Sequence, residues 1–103
     1  MLYSKWIIED SKLTLGKVTY HKQLAVNTKN VKGGGSFTLD SEAKTLLLWG
    51  KSHDFGSAEL DLVKQAFDSG MMYTGARKLN KVLSGYALTF QDECYEKTFI
   101  GTL

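Results

Sequence analysis

The hydrophobic residues of this chain fall into short groups, and most groups alternate with polar residues as β-strands do. A β-rich run at Lys5–Glu9 is followed by a turn signal and by alternation over Lys12–Val18, which predicts a β-hairpin. Alternation over Ser36–Asp40 and over Tyr86–Gln91 predicts two further strands. Thr45–Trp49 is almost continuously apolar, a pattern typical of a central strand that is buried on both faces.

One segment has the periodicity of an amphipathic helix. Leu60, Val63 and Phe67 are spaced so that they share one helix face. Ser57 is a favourable N-cap residue ahead of them, and Gly70 is a favourable stop behind them. We therefore expect one main helix between these two residues.

Two shorter helices are predicted on either side of it. Thr19–Val26 has apolar residues close to helical spacing, and a helix there would carry His21. Thr74 is placed to cap another helix, which Gly85 would end. The apolar face of that helix would comprise Leu79, Val82 and Leu83.

The last residues leave two alternatives open, because Phe99-Ile100 fits either an edge strand or a loosely docked tail. Together the elements predict the α+β class: a mostly antiparallel or mixed sheet with one main helix and one or two short helices. At 103 residues, the chain is expected to form a single domain over 1–103.

Composition excludes several classes of protein. The chain is 43% hydrophobic but has no apolar run near the ~20 residues of a membrane span, so we expect no membrane partner. The beginning of the chain turns acidic too soon for a secretory signal. The single cysteine, Cys94, cannot form an internal disulfide and is expected to be a structural thiol, which suits a reducing, cytoplasmic location.

Charge and metal-ligand patterns point to few ligand classes. The formal net charge is only +2, and the cations Arg77, Lys78 and Lys81 are interpreted as a solvated face, so we do not expect a nucleic-acid partner. His53 and Asp54 are adjacent potential ligands with no recognisable third ligand. We therefore expect neither a metal nor a cofactor.

Two glycine-rich segments are candidates for close approach of a ligand or of another part of the chain to the backbone. Asn27–Gly35 is interpreted as a loop that ends in three consecutive glycines. The glycines could admit a ligand, or they could mark a β-bulge or a flexible strand entry. The second segment, Leu47–Ser57, runs from an apolar strand through a small and polar loop to a helix start. That order often presents backbone N–H groups to an anion.

The order of these motifs resembles the Janus-type phosphohistidine phosphatases, and most closely their short phage, prophage and bacterial members. The shared order is Lys-aromatic-Ile in the first strand, Tyr-His, Gly-Gly-Gly, an apolar strand, and Gly-x-Ser-x-x-aromatic-Gly. The resemblance covers about residues 3–70 and leaves 71–103 unassigned. It implies a phosphohistidine-phosphatase-like fold and, if the chain is an enzyme, metal-independent phosphoryl transfer on a phosphorylated protein or small anion.

The resemblance also implies roles for individual residues. His21 matches the catalytic histidine, and Lys5 matches a lysine near the phosphate. Ser52, with His53 and Asp54 behind it, matches the loop that holds the phosphate, while Gly34 and Gly35 would allow a close backbone approach. From the residues alone, His21 could instead be a surface histidine, Lys5 a solvated lysine and Ser52 a turn serine that satisfies local backbone.

Three positions depart from the family pattern and support a second hypothesis. Ser36 stands where the phosphatases have an arginine, and His53 and Asp54 stand where they have small or apolar residues. A carboxylate ~4 Å from a phosphate costs about 1–4 kcal/mol. The alternative function is therefore a non-catalytic phage or prophage binding protein that acts on a host protein or a small ligand. The sequence leaves its oligomeric state open.

Overall fold

A computed structural model describes residues 2–40, 42–74, 77–78, 87–92 and 95–102, with side chains as far as residue 74. The described residues form an α+β fold with one mixed sheet and one α-helix, α1 (Leu60–Asp68). Two 3₁₀ helices, His21–Leu24 and Thr28–Asn30, precede the third strand. The strands are β1 (Tyr3–Glu9), β2 (Lys12–Val18), β3 (Val31–Asp40), β4 (Thr45–Trp49), β5 (Met72–Thr74), β6 (Arg77–Lys78), β7 (Ala87–Asp92) and β8 (Tyr95–Thr102).

The strand order is β6-β5-β2-β1-β3-β4-β7-β8, so β1 and β3 lie in the middle of the sheet. Neighbouring strands are antiparallel except at β2–β5 and β4–β7, which are parallel. The predicted β1–β2 hairpin is confirmed, and β7 at Ala87–Asp92 confirms the strand predicted in this region. Phe99 and Ile100 lie in β8 at the sheet edge, which resolves the alternatives for the tail.

The main core lies between α1 and one face of the sheet. Its fully buried residues include Trp6 and Ile8 from β1, Leu13 from β2, and Val63 and Phe67 from α1. Burying one such side chain stabilises the fold by about 1.5–3 kcal/mol. We call this surface of the sheet the helix face.

The ends of α1 differ in part from the prediction. Gly70 ends the helix as expected, at a φ of +71°, and its N–H donates to Phe67 O at 3.1 Å. The N-cap residue, however, is Glu59, so the expectation for Ser57 was wrong. Ser57 is instead part of the connection that crosses Gly33, with its carbonyl carbon 2.6 Å from the position a β-carbon there would take.

The opposite surface, which we call the second face, is covered in its centre by the first 3₁₀ helix. Leu24 lies over Gly16 of β2, and the imidazole of His21 lies over Gly34 of β3. A β-carbon on Gly16 would stand 2.7 Å from Leu24 Cδ2. The missing side chains of these two glycines therefore let the helix approach the sheet.

Three further expectations were wrong. Val31–Gly35 belongs to β3 and is not a loop, since the glycines pair in register with β1. β4 is buried on one face only, because Leu46 and Leu48 point to the core while Trp49 is 44% exposed. The helix predicted from Thr74 does not begin there, because Thr74 ends β5; Arg77 and Lys78 are also strand. The other residues of that predicted helix, Lys81 among them, lie outside the described residues, and so does Cys94.

Candidate functional site

His21 is held at the start of the first 3₁₀ helix by its own neighbours. The preceding backbone at Tyr20 is extended, and the side chain of Gln23 turns back to accept the N–H groups of Thr19 and Tyr20 at 2.9 and 2.8 Å. A local side-chain acceptor of this kind fixes the entry of a short helix. His21 is thereby directed onto the sheet and is only 4% exposed.

Glu9 anchors the other end of the same segment. Its carboxylate is buried and accepts the N–H groups of Val26 and Asn27 at 2.9 and 2.5 Å. Hydrogen bonds to a charged acceptor are stronger than neutral ones. The connection that carries His21 is thus fixed at both ends by polar side chains, one of them from β1.

The three consecutive glycines are places of close approach within the protein itself. A β-carbon on Gly33 would stand 2.5 Å from the backbone N of Ala58, and Gly33 has a φ of +145°. On Gly34 it would stand 2.4 Å from the carbonyl oxygen of Trp6. On Gly35 it would stand 2.5 Å from the carbonyl oxygen of Trp49. The pairing of β3 with β1 also shifts in register just before these glycines, opposite Ile8 and Glu9. This irregularity agrees with the β-bulge that was one of the alternatives for the glycines.

A hydrogen bond to the backbone fixes the tautomer of His21. Its Nε2 lies 2.7 Å from the carbonyl oxygen of Gly35. Because a carbonyl oxygen only accepts, Nε2 carries the proton, and in the neutral ring Nδ1 carries the lone pair. In this tautomer Nδ1 is the ring atom that can act as a base or nucleophile.

Burial and the charge of Lys5 keep that ring neutral. Desolvation lowers the pKa of His21 below its ordinary value of 6.5. The Gly35 carbonyl raises it, the charge of Lys5 lowers it, and the charge of Asp54 raises it. The balance is a lowered pKa, so His21 is neutral at pH 7.

Lys5 is placed beside this histidine by the register of the sheet. It pairs with Gly16 on one side and with Ser36 on the other, two residues along β1 from the Ile7–Gly34 pair under His21. Lys5 is half-buried, and its Nζ lies 5.5 Å from the centre of the Tyr3 ring. Its charge is close enough to lower the pKa of His21.

The loop from Ser52 to Gly56, which we call the Ser52 loop, extends the hydrogen bonding of the sheet beside Gly34. Ser52 N–H donates to Gly34 O at 2.8 Å, and Gly34 N–H donates to Gly56 O at 3.0 Å. The buried Ser52 hydroxyl accepts the N–H groups of Asp54 and Phe55 at 3.2 and 3.0 Å. Two of the amides expected to meet an anion are thus engaged by Ser52, as in the turn-serine alternative.

The structure therefore brings together His21, Lys5, Gly34, Gly35 and the Ser52 loop. Asp54 is exposed yet close enough to act on the pKa of His21. His53 is also exposed. Sequence reasoning missed the supporting residues Glu9 and Gln23, for which the only available signal was a polar residue at the end of a strand or in a short helix.

Comparisons with family models, with curated proteins and with solved structures give no match to this chain. Within the described ranges, no three His, Cys, Asp or Glu side chains are grouped so that they could hold a metal ion. In the same part of the chain, no helix combines the length and apolarity needed to cross a bilayer.

Proposed function

We propose that this chain binds a phosphorylated ligand at His21 and Lys5, within the phosphohistidine-phosphatase-like fold that its motifs imply. The observation that carries the proposal is the 2.7 Å hydrogen bond from His21 Nε2 to Gly35 O. It leaves a neutral imidazole with its lone pair on Nδ1, next to the cation of Lys5. Neutral histidine with a cation nearby suits binding and transfer of a phosphoryl group. A cytoplasmic location is part of the proposal, in keeping with a single cysteine.

The reaction that fits this arrangement is metal-independent hydrolysis of a phosphoramidate. Water attacks phosphorus, the P–N bond to the substrate imidazole breaks, and His21 Nδ1 takes the proton that water gives up. His21 Nδ1 then returns this proton to the leaving imidazole nitrogen, which restores the neutral His21 ring. Lys5 balances charge on the phosphoryl oxygens as a point cation.

A second candidate, a non-catalytic binding protein of phage or prophage origin, is favoured by the Ser52 loop. The Asp54 and Phe55 amides donate to Ser52, so they are not free for the equatorial oxygens of a transition state. Ser36 opposite Lys5 adds no positive charge. His21 and Lys5 would then bind a small ligand or a phosphorylated host protein without turnover.

Two measurements test the proposal. In an NMR titration with inorganic phosphate, we expect the His21 ring signals to shift in the wild type and in Lys17→Gln, and to respond at least several-fold more weakly in Lys5→Gln. Lys17 is an exposed control in the same hairpin, on the helix face of the sheet. Identical titration curves for all three proteins would contradict the proposed phosphate site.

The second measurement separates the two candidates. The wild type, His21→Ala, His21→Gln and Lys17→Gln are incubated with a phosphohistidine peptide, after circular dichroism has shown that each is folded. Release of phosphate by the wild type and Lys17→Gln, but not by the His21 variants, supports the enzyme. Background release by all four, with phosphate binding intact, supports the binding protein.

A further inference from the structure

One row of residues runs across the second face of the sheet from the candidate site to an exposed tryptophan. The pairings Gly16–Lys5, Lys5–Ser36 and Ser36–Trp49 place four residues in line on β2, β1, β3 and β4. Paired residues share a face, so Lys5 and Trp49 project on the same side, where His21 also lies. Two strand spacings, about 10 Å, separate their backbones.

Trp49 is the unusual member of that row. Its side chain is 44% exposed, although it ends an apolar strand in the interior of the sheet. The indole N–H donates to Thr38 Oγ1 at 3.2 Å, which holds the ring along the sheet surface. A fixed, exposed aromatic ring offers its flat face for stacking.

The surface between the ring and Lys5 is polar and small. Ser36 is half-buried between them, and the exposed Thr38 contributes its hydroxyl at the ring edge. Tyr3, two residues before Lys5 on the same face, is 50% exposed and has the Lys5 ammonium 5.5 Å from its ring centre. The second face therefore offers the Lys5 cation, hydroxyl groups and an aromatic ring within the length of one small molecule.

We propose that the phosphorylated ligand carries a planar aromatic ring, as a nucleoside monophosphate does, that stacks on Trp49 while its phosphate lies beside Lys5. The inference rests on the proposed phosphate site and names the class of ligand. A nucleoside monophosphate has all three parts that the row would meet: a charged phosphate, sugar hydroxyl groups and a flat base. Inorganic phosphate would bind beside Lys5 and His21 without reaching Trp49.

The test compares affinities by calorimetry for adenosine monophosphate, inorganic phosphate and adenosine. We expect the nucleotide to bind about tenfold more tightly than inorganic phosphate, because one base–aromatic stack has that order of effect. Trp49→Ala is expected to abolish the difference and to leave phosphate affinity unchanged. Leu39→Ala is the matched control, since Leu39 is also 44% exposed but lies on the helix face.

The outcomes separate this inference from the phosphate site itself. Phosphate binding that depends on Lys5, with no preference for the nucleotide or no effect of Trp49→Ala, would overturn the ligand class alone. Loss of phosphate binding altogether would overturn both. A short single-stranded oligonucleotide that binds far more tightly than the monophosphate would also overturn the inference, in favour of an extended nucleic-acid surface. A nucleotide preference lost in Trp49→Ala and retained in Leu39→Ala supports it.

Discussion

The imidazole of His21 occupies the space that a side chain on Gly34 would need. A β-carbon on Gly34 would stand 3.0 Å from His21 Cδ2 and 2.4 Å from the carbonyl oxygen of Trp6. The first contact joins the sheet to the connection above it, and the second lies within the sheet. The glycine therefore sets both the position of the histidine and the spacing of β1 and β3.

We expect Gly34→Ala to displace His21 and to destabilise the fold by about 1–3 kcal/mol or more, as overpacking in a core does. Displacement reduces burial of the ring, so the pKa of His21 should rise toward 6.5. Denaturant unfolding and an NMR titration of His21 measure the two effects. Gly56→Ala is the control for the effect on the His21 pKa. Gly56 has a left-handed φ of +74°, but its added carbon would have nothing within 4 Å and so would displace no side chain. An unchanged His21 pKa in Gly34→Ala would contradict this account.

The lowered pKa of His21 makes stability depend on pH. The unfolded chain takes up a proton near pH 6.5, whereas the native ring stays neutral to lower pH. Stability should therefore fall as pH drops below about 6.5, with a slope of up to about 1.4 kcal/mol per pH unit, and level off below the native pKa. Unfolding free energies between pH 7.5 and 5 measure it.

Substitution assigns that pH dependence to one residue. His21→Gln should flatten the curve, while Lys17→Gln, an exposed control in the β1–β2 hairpin, should keep the wild-type slope. The comparison fails if both variants keep the wild-type slope.

The hydrophobic pattern of the sequence predicted the elements that are formed by residues close together in the chain. Alternation located the β1–β2 hairpin, and apolar spacing located α1 up to its end at Gly70. The strand character of Gly33–Gly35 could not be predicted, since glycine disfavours strands locally. These residues form a strand because they pair with β1, which is distant in sequence, and the close approach of Ala58 leaves no room for a side chain at Gly33.

The candidate site was predictable to a similar extent. Motif order drew attention to His21, Lys5 and Ser52, and the structure brings all three to Gly34 or its neighbours. The buried carboxylate of Glu9 was not predictable, because its partners are backbone amides 17 and 18 residues away. Nothing in a strand-terminal glutamate marks such a contact in advance.

Glu9→Gln tests how firmly the segment carrying His21 is held. The amide of glutamine offers one acceptor oxygen where the carboxylate offers two, so the N–H of Val26 or Asn27 loses its partner. We expect a loss of about 1–3 kcal/mol and faster hydrogen exchange at these two amides. Glu42→Gln, an exposed control, should change neither. Exchange rates equal to those of the wild type would show that the carboxylate does not hold the segment.

Ser52→Ala distinguishes a hydroxyl that closes the loop from one that is reserved for a ligand. The Ser52 hydroxyl accepts two part-buried amides, from Asp54 and Phe55. Its removal leaves both unpaired, and we expect destabilisation by about 1–3 kcal/mol without any ligand present. Ser57→Ala should cost less than about 0.5 kcal/mol, because exposed Ser57 does not cap α1. Chemical denaturation measures the free energy of unfolding of both variants. Equal losses of stability would mean that Ser57 caps α1 after all and that the Ser52 hydroxyl is available to an anion.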